Sequence, residues 1–218
     1  MKRIYFILSI IILSFSAYTQ RSYFGMELVT PSITWVEGGL ENQTIRWNPV
    51  NFGLSGNIQI SPNVGIKIGA RLVGMGTRIK DEKENVIAAK FKFKYAQFPL
   101  LLSLRTRGGF ALQAGPYAGK LYVAKYYNPE ERADDITLAV LTLGIAQPGN
   151  YKITNQCHEW DTGFLVGLGY QMDHGYIGIR YQYGMSEVIE FNEKLLYNQS
   201  VELVWEISFR GLCKGFKE

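Results

Sequence analysis

Alternation with a period of two runs from Tyr23 to Phe209, and no other feature of the chain limits its fold so tightly. Val64, Ile66, Ile68, Ala70 and Leu72 alternate with Gly65, Lys67, Gly69 and Arg71. Phe164, Val166, Leu168, Tyr170 and Met172 alternate with Gly163, Leu165, Gly167, Gly169 and Gln171. Ile177, Ile179, Tyr181 and Tyr183 alternate with Gly178, Arg180 and Gln182, and Val201, Leu203, Trp205 and Ile207 with Glu202, Val204 and Glu206. A strand points successive side chains to opposite faces, so each run has one bulky apolar face and one polar or small face. The runs predict eight strands, roughly 22–35, 47–60, 64–79, 88–104, 110–126, 160–172, 175–188 and 199–210. In the fourth, Phe91, Phe93 and Tyr95 alternate with Lys90, Lys92 and Lys94, after which Phe98 to Leu104 blurs the phase. A bulge near Pro99 is the expected cause.

The connections alternate in length. Ser61–Asn63, Arg105–Gly109 and Asp173–His174 are tight turns, whereas 36–46, 80–87, 127–159 and 189–198 are long. In an up-and-down arrangement the short turns collect at one end and the long loops at the other, as in a transmembrane β-barrel. An even strand count places both chain ends at the short-turn end.

Alternation alone does not say whether the apolar face turns inward, as in a soluble ligand-carrying barrel, or outward into lipid. Volume decides. An eight-stranded barrel has room inside only for packed side chains. The polar face carries glycines at 65, 69, 163, 167, 169, 178 and 184, which suit the crowded concave side. That face also carries Lys67, Arg71, Arg180, Glu202 and Glu206, a candidate lumenal charge network in which both signs are present to neutralise one another. Trp35, Trp47 and Trp160 fall at strand ends on the long-loop side, where an interfacial aromatic belt is expected. The expected fold is therefore all-β, an eight-stranded antiparallel up-and-down transmembrane barrel over 21–210.

The first twenty residues read as a leader. Lys2 and Arg3 precede the twelve-residue apolar run Ile4–Phe15, and small and polar residues follow to Gln20. That is the pattern of a cleaved secretory signal peptide, with the cut after Ala17 or Gln20. Twelve helical residues at about 1.5 Å each fall well short of a hydrocarbon core of roughly 30 Å. The implied destination is the outer membrane. A short basic tail, 211–218, follows the barrel.

Two cysteines in 218 residues exclude a disulfide scaffold and a structural zinc module. A formal charge of +4, spread along the chain, excludes a nucleic-acid footprint.

Lys94-Tyr95-Ala96-Gln97-Phe98-Pro99-Leu100-Leu101-Leu102, then Ala114-Gly115-Pro116-Tyr117-Ala118-Gly119, resembles the PorT-like outer-membrane β-barrel family of the Bacteroidota. So do Asp161-Thr162-Gly163, Gly167-Leu168-Gly169-Tyr170 and Arg180-Tyr181-Gln182-Tyr183-Gly184-Met185-Ser186. The likeness covers about 22–210 and implies a small eight-stranded outer-membrane barrel. The family's founding member is associated with a secretion and gliding machinery. Such chains commonly stop at an aromatic residue read by the assembly machinery. Here Phe209 is followed by nine more residues, so either Phe209 or Phe216 fills that role.

Candidate chemistry is sparse. Cys157-His158-Glu159 is the one cluster with metal-ligand residue types, and three adjacent loop residues do not make a closed site. Cys157 and Cys213 belong to opposite ends of the barrel, too far apart for a disulfide. Gly163 to Gly169 has glycines at every second residue, no following helix and no Gly-Lys-Ser, so it is a strand and not a phosphate loop. Asp81, Glu82, Glu84, Glu130, Glu131, Asp134 and Asp135 lack calcium-loop spacing and read as solvated acids. No catalytic, cofactor-binding or metal residue is expected, and no cofactor. A lipid-modifying barrel enzyme, with His158 near Glu159, is the alternative, together with a soluble periplasmic barrel. Lys90, Lys92 and Lys94 share one face near the outer leaflet, suited either to lipopolysaccharide phosphates or to lumenal acids. Outer-membrane lipid is thus an expected partner. The 33-residue loop 127–159, with the apolar centre Ile136–Ala146, is the expected site for a protein partner.

Overall fold

A computed structural model of the chain describes residues 22–37, 43–44, 46–48, 50–80, 87–128, 149–191 and 194–209. The expected leader 1–20 and tail 211–218 with Phe216 and Cys213, the acids at 81, 82, 84, 130, 131, 134 and 135, and the segment 136–146 lie outside the described residues.

Among the described residues twelve strands follow one another: β1 (Tyr23–Glu37), β2 (Gln43–Thr44), β3 (Arg46–Asn48), β4 (Asn51–Ser61), β5 (Val64–Met75), β6 (Arg78–Lys80), β7 (Ile87–Arg105), β8 (Phe110–Asn128), β9 (Gly149–Lys152), β10 (Trp160–Met172), β11 (Gly175–Phe191) and β12 (Lys194–Phe209). The eight long ones pair in the order β7-β5-β4-β1-β12-β11-β10-β8, and β8 pairs back with β7. Every pairing is antiparallel, so the sheet closes into an eight-stranded barrel with no free edge along its body.

The short strands are extensions of the long ones. Ser32 faces Asn48 in the register that also sets Tyr23 against Asn57, so β3 prolongs β4 along β1. Arg78 faces Lys90 in the register that sets Arg71 against Gln97, so β6 prolongs β5 along β7. Between β5 and β6 the chain kinks at Gly76, at φ +136, where a Cβ would strike the Phe91 carbonyl oxygen at 2.2 Å. The Phe91 amide bridges the gap by donating to the Thr77 carbonyl at 3.0 Å.

The outward face of the lower wall is greasy throughout. Phe24, Phe52, Leu100, Phe110, Leu168, Ile179 and Ile207 are all exposed, Leu168 at 65% and Phe110 at 70%. Such a continuous apolar girdle is untenable in water and matches the lipid-facing band of a membrane barrel. The inward face of the same strands holds glycines, amides and ions, with Leu101, Leu165 and Val204 as apolar fillers. Glycine is obligatory where an aromatic ring crosses the lumen. Gly169 and Gly178 are cross-strand partners, and Cβ atoms there would sit 2.6 Å from Tyr176 Cζ and 2.3 Å from its Oη.

Two expectations need correction. No bulge lies near Pro99, because the β7–β8 pairs keep one register from Tyr95↔Leu121 through Pro99↔Tyr117 to Leu102↔Ala114. On β7, Phe91, Phe93, Tyr95, Gln97, Pro99, Leu101 and Ser103 all point inward. What changes is the medium outside. Phe98, Leu100, Leu102 and Leu104 meet lipid, whereas Lys90, Lys92 and Lys94 stand above that band. The one register shift in this pair lies higher, between Lys94 and Tyr95, where Tyr122 of β8 has no opposite residue.

The second correction concerns the long loops, which are shorter than expected because the wall continues upward. β11 and β12 pair as far as Phe191↔Lys194, within the segment expected as loop 189–198. The expected loop 127–159 gives up Gly149–Lys152 to β9 and Thr154–Gln156 to a single 3-10 turn. These extensions enclose a second core of Val36, Val73, Met75, Phe91, Phe93, Tyr95, Leu121, Ala124, Tyr126, Ile153, Val188, Ile189 and Leu196. The protein therefore stacks an aromatic core above a polar one.

Candidate functional site

The lumen is filled by an ionic lattice. Lys67, Arg71, Arg180, Glu202 and Glu206, which alternation places on one face of β5, β11 and β12, are all buried and adjoin one another. A sixth member, Glu27 of β1, sits among them. Arg180 donates from Nη1 to Glu27 Oε1 at 2.7 Å and from Nη2 to Oε2 at 3.2 Å, a two-point fork. Lys67 Nζ donates to Glu27 Oε2 at 2.8 Å and also to Glu206. Arg71 Nη1 donates to Glu202 Oε2 at 2.5 Å, while its Nε and Nη2 reach Gln97 Oε1 at 3.1 Å and Gln182 Oε1 at 2.9 Å. Three cations face three carboxylates, so the lattice is neutral, which is the condition for keeping charges away from water. The five residues read from alternation sum to +1, and Glu27 supplies the missing charge. Its flanks Met26 and Leu28 point outward, so the same alternation marks it as lumenal.

A second polar cluster sits higher in the lumen. Asp161 accepts from Tyr117 Oη at 3.2 Å and from Asn198 Nδ2 at 3.1 Å, and Asn198 Nδ2 also donates to Tyr95 Oη at 3.0 Å. These groups tie β8, β10, β12 and β7 across the barrel just below the aromatic core. Crossing side chains at both levels obstruct the axis.

The remaining candidate residues are dispersed. Trp160 opens β10 and is exposed, with Lys120 Nζ 5.8 Å from its ring centroid. Trp35 stacks on Tyr181 with centroids 6.2 Å apart. Trp47 lies in β3 opposite Ile33, and its side chain is outside the described residues. All three backbones are on the long-loop side. Cys157 and His158 diverge. Cys157 packs against the aromatic core, donates to the Ile153 carbonyl at 3.3 Å, and burial pushes its thiol up to about 12. His158 is exposed, with Glu187 Oε2 3.9 Å from its Nε2. The hydroxyl of Ser186 is engaged by Thr162, whose amide donates to it at 3.0 Å. His174 lies in the turn at the opposite end. Among the described residues no three His, Cys, Asp or Glu side chains gather as metal ligands. Lys90, Lys92 and Lys94 point away from the lumen, so the lumenal acids are not their partners.

A closed eight-stranded barrel with a greasy outer band, an ion-filled lumen and short turns at one end is an integral outer-membrane protein. Residues 38–190 match the family model described as the outer membrane protein beta-barrel domain, and the chain belongs to that family. No curated protein matches it. Among solved structures it is similar to Ail, the attachment invasion locus protein of Yersinia pestis, at 16% identity over 86% of this chain and 97% of that one, TM-score 0.42. It is similar to Neisserial surface protein A at 9% identity over 87% and 96%, TM-score 0.45. It is also similar to the outer membrane protease OmpT of Escherichia coli at 8% identity over 86% and 96%, TM-score 0.35.

Proposed function

We propose that the chain is a non-enzymatic outer-membrane barrel, obstructed along its axis, that acts as a structural or interaction protein through the segments at its long-loop end. The observation that carries this reading is the neutral lattice of Glu27, Lys67, Arg71, Arg180, Glu202 and Glu206. Its ions are consumed by one another, so it offers neither a solute path nor a free acid, base or nucleophile. The isolation of His158 from a free hydroxyl favours this over the lipid-modifying alternative. Export through the leader 1–20 fits the destination. The resemblance to the PorT-like family supports an interaction role beside a secretion or gliding machinery, with 127–159 as the partner-facing segment.

Cell fractionation followed by gel mobility with and without boiling tests the reading. The expected result is a compact, faster-running unboiled species in the outer-membrane fraction. Recovery in the soluble periplasmic fraction would overturn it. Deleting residues 136–146 should leave that species intact; its loss would assign the segment to the wall.

A further inference from the structure

Above the greasy band the outer wall collects cations. Lys92 of β7 lies directly opposite Lys125 of β8, which in turn lies opposite Lys152 of β9, and Arg78 lies opposite Lys90. Like charges facing each other across an antiparallel pair destabilise it. The leading charges acting on Lys90 and Lys92 are their neighbours Arg46, Arg78, Lys94 and Lys125. Among the described residues no carboxylate forms an ion pair with Lys90, Lys92, Lys94 or Lys125. A sheet that tolerates such a stripe is built to meet an anion.

The stripe adjoins a groove of about 390 Å³ in the outer wall. Arg46, Lys92 and Lys94 contribute its cationic lining, and Phe52, Leu72 and Tyr122 its apolar lining. Gly74, paired with Lys94, lines it without a side chain. Arg46 is fixed there by donating to the Met75 carbonyl at 2.8 Å and the Phe91 carbonyl at 3.3 Å.

We propose that this groove binds the phosphorylated headgroup of an outer-leaflet glycolipid, its phosphates on Lys92, Lys94 and Arg46 and an acyl chain against Phe52 and Leu72. The occupant follows from the position. The groove straddles the level where lipid-facing residues give way to lysines, so its ligand is greasy on one side and anionic on the other. A free phosphate satisfies only the cationic half. The inference rests on the outer-membrane reading and goes beyond it by naming a ligand class.

The test uses the full chain, immobilised in detergent and exposed to micelles holding lipid A with two phosphates or the same lipid dephosphorylated, with retained lipid measured by mass spectrometry. The two-phosphate lipid should be retained selectively. Lys94→Gln, an exposed change that leaves the lumen untouched, should weaken retention about fivefold, and Lys92→Gln with Lys94→Gln and Lys125→Gln more than about fiftyfold. Millimolar inorganic phosphate should not compete. Equal retention of the dephosphorylated lipid, equal retention by the triple variant, or displacement by inorganic phosphate would each overturn the proposal. Gel mobility with and without boiling is read in parallel. A wild-type chain that lacks the compact species sinks the barrel reading itself, whereas a compact chain that ignores the phosphates sinks only the glycolipid site.

Discussion

Among the described residues Glu27 is the only carboxylate in ion-pair contact with all three lumenal cations: 2.7 Å to Arg180, 2.8 Å to Lys67 and 3.8 Å to Arg71. Neutralising it leaves Arg180 without its fork in a place water does not reach. Glu27→Gln should therefore destabilise the barrel by about 3–5 kcal/mol, read as a lower urea midpoint for loss of the compact gel species. Adding Lys67→Met should recover part of that loss, because it removes one of the cations left in excess. An unshifted midpoint in the single variant would mean that the lattice contributes nothing to stability. Five of the six ions are legible in the sequence because each stands at an inward position between two outward apolar residues. Glu27 was equally legible by phase, flanked by Met26 and Leu28, and electroneutrality called for it. Which cation each acid serves was not legible, since strand phase fixes a face and leaves the height along the lumen to the register.

Register is a property of strands, and on β8 it turns on Tyr122. Leu121 faces Tyr95 and Val123 faces Lys94, which leaves Tyr122 with no opposite residue. Tyr122 and Val123 stand outside in succession, and the inward positions change from odd to even, with Ala124 and Tyr126 buried. Deleting Tyr122 removes the bulge and leaves every other β7–β8 pairing as it is. Deleting Ala114, within the regular stretch, pushes one side of the strand through a full inversion of faces. The first deletion should retain the heat-modifiable species and the second should abolish it. Equal failure of both would mean that the bulge is indispensable to closure. The sequence predicts the irregularity near Pro99, where the run Phe98 to Leu104 blurs the apolar pattern. That blur is chemical and not geometric: Leu101 is an apolar filler facing inward between outward Leu100 and Leu102. Alternation detects strands through a contrast between faces, and it fades where both faces are apolar.

At the scale of the whole molecule, two cores of opposite chemistry share one continuous wall. Within the band, lipid covers the apolar face and the lumen takes the ions. Above it, water replaces lipid, so aromatics turn to the interior and lysines to the exterior. On β7 the inward positions stay odd from Phe91 to Ser103, and on β8 one bulge separates two regular runs, so the upper wall is readable as strand in both, yet the level at which the surroundings change is not. Segments such as 189–198 read as loops because bulges between Tyr183 and Ile189 scramble the alternation. The two cores should also fail separately. Phe91 is fully buried in the upper core against Phe93 and Tyr126, with ring centroids 6.2 Å and 5.0 Å away. Phe91→Ala should cost about 3–5 kcal/mol locally while the ion lattice and the greasy band remain intact. Cys157 reports on that region. Its thiol, raised by burial to about 12, keeps its proton at pH 8, so the folded protein alkylates slowly. Opening the upper core returns the thiol toward its ordinary value of about 8.5, and the thiolate fraction at pH 8 rises. In a Cys213→Ser background, Phe91→Ala should therefore speed maleimide labelling of Cys157 while the unboiled species keeps its mobility. Faster labelling accompanied by loss of the compact species would mean that the barrel unfolds as one unit and that its two cores are a single cooperative structure.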